Sequence, residues 1–140
     1  MNDLTVWDEG RELFVTTPRL VCGTWWSDNW ISRYVRADFD LPAGQHKLVL
    51  NFYSPVDIGG TRSLAVRMKF TPLALIEFSA ERAQVDWSHA WQTSSQDSDS
   101  VSISLRAHDT FHPPQGDIRQ MGVVLTEWHI ETQPTSRPGF

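Results

Sequence analysis

Three tryptophans lie close together in a segment rich in turn-forming polar residues, GTWWSDNWIS. The indoles belong to Trp25, Trp26 and Trp30, and Asp28 and Asn29 lie between them. An indole face offers flat apolar area for the C–H face of a sugar ring, and a carboxylate or amide can hydrogen-bond sugar hydroxyls. This combination indicates a platform for stacking on a carbohydrate. The same residues leave open the alternative that one or two indoles close the end of a hydrophobic core.

A second polar cluster consists of His108, Asp109 and His112. Asp109 and His112 are candidates for further hydrogen bonds to a bound sugar. With His108 they could instead form a loop metal site in a small metal-dependent enzyme. Pro113 and Pro114 follow directly and disfavour a helical i, i+4 histidine pair, so two solvated loop histidines are the simpler interpretation.

The common catalytic and cofactor motifs are absent from the sequence. It contains no Gly-x-Ser-x-Gly nucleophile elbow and no phosphate-binding loop that ends in Gly-Lys-Ser/Thr. The single cysteine, Cys22, excludes zinc sites built from several cysteines and an internal disulfide. We therefore expect a non-catalytic protein with no cofactor and no bound metal.

Charge and hydropathy restrict the partners and the location. The 140 residues carry 12 Lys+Arg against 17 Asp+Glu, a formal net charge of -5. An acidic chain is poorly suited to a nucleic-acid backbone. No apolar run approaches the roughly 20 residues of a membrane span, and the amino terminus has no secretory h-region. The expected location is the cytoplasm, unless the chain is part of a larger exported protein.

The elements that must position these residues are predicted to be strands. Apolar and polar residues alternate most clearly in Val35–Leu41 and Val101–Ala107, as in a half-buried strand. In Gln84–Gln92 the same period places Trp87 and Trp91 on one face, which favours core positions for both. The apolar run in Gly122–Glu131 predicts a buried closing strand. The other candidate strands are Leu13–Val15, Arg19–Cys22, Leu48–Tyr53, Leu64–Phe70 and Ala74–Phe78.

Roughly eight short strands between turn signals, with no convincing helix, are typical of a two-sheet architecture. We therefore predict an all-β fold, a two-sheet antiparallel β-sandwich of the jelly-roll type. A single domain is expected over residues 1–131. Residues 132–140, with two prolines and a glycine, are expected to form a flexible tail or the start of a linker.

Several short motifs follow one another in a distinctive order along the chain. A strand precedes a proline-containing loop with an Asp-x-Arg, Asp117 and Arg119, and then Met121-Gly122 and a closing strand. Upstream, the tryptophan-rich segment precedes a strand that ends in Leu41-Pro-Ala-Gly44. This order resembles small jelly-roll domains that accompany bacterial glycosyltransferases and other surface-polysaccharide enzymes, and that look like carbohydrate-binding modules. The resemblance spans Gly23 to Glu131 and implies a lectin-like, polysaccharide-binding role, with the Asp-x-Arg bracing the closing loop.

Three functional hypotheses follow from these observations. The first is a non-catalytic carbohydrate-binding module, with a glycan or a glycosylated molecule as its partner. The second is a structural or assembly domain, in which the same aromatics are buried against another protein or a second copy, because tryptophan is enriched in interfaces. The third is a metal-dependent enzyme at the histidine cluster. The ligand-binding residues of the first hypothesis are Trp25, Trp26, Asp28, Asn29, Trp30, Asp109 and His112.

Overall fold

Most of the described chain is β-strand. The structure is a computed structural model that describes residues 4–8, 11–93, 99–110 and 120–134. The strands are β1 (Leu4–Asp8), β2 (Arg11–Thr16), β3 (Arg19–Cys22), β4 (Trp30–Ser32), β5 (Tyr34–Leu41), β6 (Gly44–Tyr53), β7 (Ser63–Met68), β8 (Thr71–Glu77), β9 (Gln84–Gln92), β10 (Asp99–Ala107) and β11 (Met121–Pro134), with a short 3-10 helix at Val56–Ile58. No helix in these ranges has the length and apolarity needed to cross a membrane.

The strands form two antiparallel sheets. Sheet A has the order β1-β2-β11-β6-β9, with β4 also paired to β11, and sheet B has the order β3-β5-β10-β7-β8. From β5 to β11, every connection crosses between the sheets except the β7–β8 hairpin. This alternation between layers is the jelly-roll arrangement. The predicted all-β, two-sheet antiparallel sandwich is confirmed.

The structure contains eleven strands in the described residues, more than the roughly eight expected from turn spacing. The prediction missed β1 and the three-residue β4, which lies inside the tryptophan-rich segment. It also ended the last strand too early. β11 continues to Pro134 because its final residues pair with the start of β6, from His46 to Gly44. Thr132, placed in the expected tail, is fully buried.

The core lies between the sheets and is formed by the inward positions of the alternating strands. Phe39 on β5 is 1% exposed and Trp128 on β11 is 3% exposed, and their ring centroids are 5.9 Å apart in an edge-to-face arrangement. Val35, Ala37 and Leu41 line the same inner side of β5. Since the apolar residues of β5 and β10 face inward, their polar partners must form the outer surface of sheet B.

The tryptophans of β9 face inward as predicted. The ring of His89 stacks between those of Trp87 and Trp91, at centroid distances of 6.1 and 5.9 Å and interplanar angles of 7° and 20°. Both indoles pack against the core. Together with Trp128, they account structurally for three of the seven tryptophans.

Candidate functional site

The tryptophan-rich segment folds as a tight hairpin whose two faces differ. Trp25 forms a β-bridge with Ile31. Inside that bridge, the Trp26 amide donates to the Trp30 carbonyl over 2.8 Å, and the Asn29 amide donates to the Trp26 carbonyl over 2.9 Å. Side chains alternate between the faces of a hairpin, and Ile31 is fully buried. Trp25 therefore shares the inner face, while Trp26 and Trp30 share the outer face.

The contacts of Trp25 favour a packing role. Its indole Nε1 donates a hydrogen bond to the carbonyl of Leu125 over 3.1 Å. Its ring centroid lies 5.9 Å from that of Trp128, and the side chain packs against the core. Trp25, Trp26 and Trp30, the three predicted stacking residues, are all half-buried, and only Trp26 and Trp30 lie on the outer face of the hairpin.

The turn of this hairpin presents the two predicted polar residues to solvent. Asp28 and Asn29 are both exposed, and the Asp28 carboxylate accepts a hydrogen bond from the Trp30 amide over 3.4 Å. Asn29 has a φ of 74°, a conformation that asparagine tolerates better than most residues. The turn therefore places an amide and a carboxylate beside the outer indoles.

Replacing Trp25 by Phe tests its packing role. Trp25→Phe removes the indole donor and leaves the Leu125 carbonyl without that hydrogen bond, so we expect the free energy of unfolding to fall by about 1–2 kcal/mol. Trp30→Phe is the matched control on the outer face of the same hairpin and should cost less. Urea denaturation followed by circular dichroism measures both, and an equal loss for the two variants would contradict the inward placement of Trp25.

The second predicted cluster begins in the loop after β10. The Asp109 amide donates to the Thr61 hydroxyl over 3.0 Å, and the Arg33 guanidinium donates to the carbonyls of Ala107 and His108. Because Arg33 directly follows β4, the tryptophan hairpin and this loop occur at the same end of the sandwich.

The candidate metal site lies partly outside the described residues. His108 and Asp109 are exposed, and His112 lies outside the described residues, as do Asp117 and Arg119. Within residues 4–8, 11–93, 99–110 and 120–134, no group of three or more His, Cys, Asp and Glu side chains could hold a metal ion.

A groove of about 560 Å³ runs over the outer face of sheet B. It was not predicted from the sequence. Its lining comes from three adjacent strands and one turn: Tyr34 and Arg36 of β5, Ser102, Ser104 and Arg106 of β10, Ala65 and Arg67 of β7, and Lys69 and Phe70 of the β7–β8 turn.

The register arranges these residues in rows across the strands. In the central row, Ser104 lies between Arg36 and Arg67. Neighbouring strands are about 4.8 Å apart, so the two arginines stand about 10 Å apart on either side of a small hydroxyl side chain. One row along, Arg106 is directly opposite Tyr34. Small residues on the middle strand thus create the floor, and long side chains on the outer strands create the walls.

The charged residues that line the groove are all cationic. They are Arg36, Arg67, Lys69 and Arg106, in a chain with a net charge of -5. Asp38 follows Arg36 on the same face of β5, but Arg19 approaches its carboxylate to 3.7 Å at the rim of the sheet. The groove is consequently a local positive region on an acidic protein.

Several contacts hold the groove residues in place. The Arg106 guanidinium carbon lies 4.5 Å from the centre of the Tyr34 ring, a cation–π geometry. Arg67 donates to the Phe70 carbonyl over 3.0 Å. The Lys69 amide donates to the Ser102 carbonyl over 2.8 Å.

The turn at the end of the groove combines two unusual features. Lys69 has a φ of 55°, which costs energy for a residue other than glycine. Phe70 beside it is 91% exposed. A positive φ is common in the tight turn of a β-hairpin, since it matches the twist of the flanking strands. The turn therefore presents an apolar ring beside the cations of the groove.

A second groove, of about 500 Å³, crosses the outer face of sheet A. Its lining includes Lys47 and Glu131, which are directly opposite each other on β6 and β11. Opposite charges in register offset one another, so this groove lacks the single sign of charge that distinguishes the groove on sheet B.

No protein-family model and no curated protein sequence matches this chain. Among solved structures, it is similar to a family 35 carbohydrate binding module from Clostridium thermocellum, with a TM-score of 0.40 and 9% sequence identity. The match covers 94% of this chain and 98% of that chain.

The groove residues left only a partial signal in the sequence. Alternation along β5 and β10 identifies Arg36, Ser104 and Arg106 as outward-facing. Alternation does not show that β10 lies between β5 and β7, because strand order depends on long-range pairing. The three guanidinium groups are far apart in the sequence and become neighbours only through that order.

Proposed function

We propose that this chain is a non-catalytic carbohydrate-binding module whose main binding surface is the groove on sheet B. The observation that carries the proposal is the presence of an aromatic ring near each end of a shallow trough lined by hydroxyl and guanidinium groups. Tyr34 lies toward one end and Phe70 at the other, with Ser104 on the floor between them.

This lining suits the two kinds of surface that a sugar presents. A pyranose ring has C–H faces that pack on aromatic rings and hydroxyl edges that need hydrogen-bond partners. Arginine supplies several donors in a fixed planar geometry, and serine supplies both a donor and an acceptor.

The tryptophan hairpin is proposed as a separate glycan contact, because its strand β4 belongs to sheet A whereas the groove lies on sheet B. Trp26 and Trp30 share its outer face, with Asp28 and Asn29 in the turn between them. Asp109, in the loop after β10 at the same end of the sandwich as the hairpin, is proposed as a further hydrogen-bonding group for a sugar. His112 follows it in the sequence and is proposed for the same role. The sequence resemblance to jelly-roll domains of polysaccharide enzymes agrees with a carbohydrate ligand.

A variant that fills the floor of the groove tests the proposal. Ser104→Trp places a large side chain between Arg36 and Arg67, so we expect glycan affinity to fall at least tenfold while the fold is retained. Ser88→Trp is the matched control, because Ser88 is an exposed strand residue on the outer face of sheet A. Calorimetric titration with a panel of oligosaccharides up to millimolar concentration measures the change.

A hairpin variant, Trp26→Ser with Trp30→Ser, separates the two surfaces. We expect it to weaken binding less than Ser104→Trp does. If only the hairpin variant lost affinity, the groove would not be the main site. A wild-type protein that bound no glycan in the panel would refute the proposed function, and loss of an oligomer by the hairpin variant in light scattering would favour an assembly role.

A further inference from the structure

We infer that the groove on sheet B selects acidic glycans, whose carboxylate or sulfate groups are held between Arg36 and Arg67. This inference rests on the proposed function and names the chemical class of the ligand. Neutral sugars require only hydrogen-bond donors and acceptors. The lining of this groove contains four cations and no acidic residue, a charge that neutral sugars do not require.

Charge separation over the whole chain supports this assignment. The groove contains four of the 12 basic residues, so the rest of the chain holds 17 acidic residues against the eight that remain. Concentrating cations in one trough of an otherwise acidic chain costs like-charge repulsion. An anionic ligand relieves that repulsion and is drawn to the trough by the same field.

The central row offers a defined position for the anion. Arg36 and Arg67 flank Ser104 in register, and a planar guanidinium can bind two oxygens of a carboxylate or sulfate at once. The Ser104 hydroxyl can donate a third hydrogen bond from the floor. The charged group of an acidic sugar above Ser104 would therefore accept hydrogen bonds from three side chains, Arg36, Arg67 and Ser104.

Two of the cations are oriented before a ligand arrives. Tyr34 supports the guanidinium of Arg106, and the turn carbonyl of Phe70 holds that of Arg67. Restricting a side chain in advance lowers the entropy lost on binding. The rows are about 7 Å apart along the strands, so Arg106, the central pair and Lys69 present positive charge at successive points along the trough.

An acidic glycan fits these features better than a nucleic acid or a membrane surface does. A long nucleic acid or an extended lipid surface would reach beyond the trough and meet the acidic remainder of the chain. A glycan strand confined to the groove avoids that repulsion. The ring of Phe70, which is 91% exposed, then covers the apolar face of a sugar at one end of the groove.

A pair of ligands that differ only in charge provides the test. Oligogalacturonate and its methyl ester share one sugar backbone, and only the first carries carboxylates. We expect the wild-type protein to bind oligogalacturonate at least tenfold more tightly, and raising NaCl from 0.05 to 0.5 M should weaken that binding because salt screens the attraction. A sulfated oligosaccharide and its desulfated form are compared in the same way, to distinguish sulfate from carboxylate.

Neutral substitutions connect the effect to the groove. Arg36→Gln and Arg67→Gln should each lower affinity for the acidic ligand roughly tenfold and leave the melting temperature unchanged, since both residues are exposed. Arg82→Gln, which removes an exposed arginine in another turn, is the control and should bind as the wild type does.

The possible outcomes separate this inference from the proposed function. Equal affinity for the acid and its ester, abolished by Ser104→Trp, would overturn the charge selectivity and leave a glycan-binding groove. Binding to no glycan would overturn both. Equal affinity for single-stranded DNA or phosphatidylserine-rich vesicles would overturn the assignment to a glycan. Selective binding that is lost in both Arg→Gln variants supports the inference.

Discussion

Gly23→Ala is expected to reduce the free energy of unfolding by more than about 3 kcal/mol. Gly23 has a φ of 84°, which costs about 1–3 kcal/mol for a residue with a side chain. A Cβ at this position would overlap the carbonyl oxygen of Tyr34 and lie 2.8 Å from Cγ1 of the buried Val35. The strain and the overlap add together, against a total stability of about 5–15 kcal/mol for a small domain.

The effect should extend from stability to binding. Gly23 connects β3 to the tryptophan hairpin, and Ser32 bonds both the Thr24 amide and the Tyr34 carbonyl over 2.9 and 3.0 Å. The overlap is relieved by a shift of residue 23 or of Tyr34, and Tyr34 lines the groove on sheet B. Gly23→Ala protein that still folds should therefore bind glycan more weakly than the wild type.

Gly59→Ala is the matched control for this prediction. Gly59 also has a positive φ, 105°, but it lies in an exposed turn after the 3-10 helix. Thermal and urea denaturation of both variants separates the cost of backbone strain from the cost of overlap. A loss for Gly23→Ala no larger than that for Gly59→Ala would contradict the close packing against Tyr34.

Phe39→Ala is expected to reduce stability by about 3–5 kcal/mol, because it removes a fully buried ring and leaves a cavity. Phe39 contacts Trp128, and Trp128 in turn contacts Trp25 of the hairpin. This set of rings joins sheet B, sheet A and the hairpin. The melting temperature should fall by roughly 10–20 °C.

Phe70→Ala is the contrasting variant. Its ring is 91% exposed, so its removal should change stability by no more than about 0.5 kcal/mol while glycan affinity falls. Calorimetry and ligand titration on both phenylalanine variants would therefore give opposite patterns. If Phe70→Ala left affinity unchanged, Phe70 would have no part in the binding surface.

Local sequence was sufficient to predict the architecture. Alternation along β5 and β10 identifies their inner and outer faces, because successive side chains of a strand point to opposite sides. The same period correctly placed Trp87 and Trp91 on one inward face of β9. Prediction failed for β4, where three residues between turn-forming residues are too few to show any period, and at the end of β11, whose last residues are strand because β6 pairs with them.

The candidate site was only partly accessible from the sequence. The density of tryptophan in residues 23–32 identified a segment of interest, but it could not separate Trp25 from Trp26 and Trp30. That division follows from the bridge to Ile31 and the bond to Leu125, which join residues distant in sequence. Composition likewise indicated an acidic protein and gave no sign of a cationic trough.

By itself, the sequence determined the strand faces, the sandwich class and the absence of the common catalytic motifs, because these depend on residue type and on spacing within a few positions. Only the tertiary structure decided which outward residues become neighbours. Arg36, Arg67 and Arg106 lie on three strands, and they meet because β10 pairs with β5 on one side and β7 on the other. That pairing is a property of the whole fold, since it requires both sheets to bury their apolar faces together.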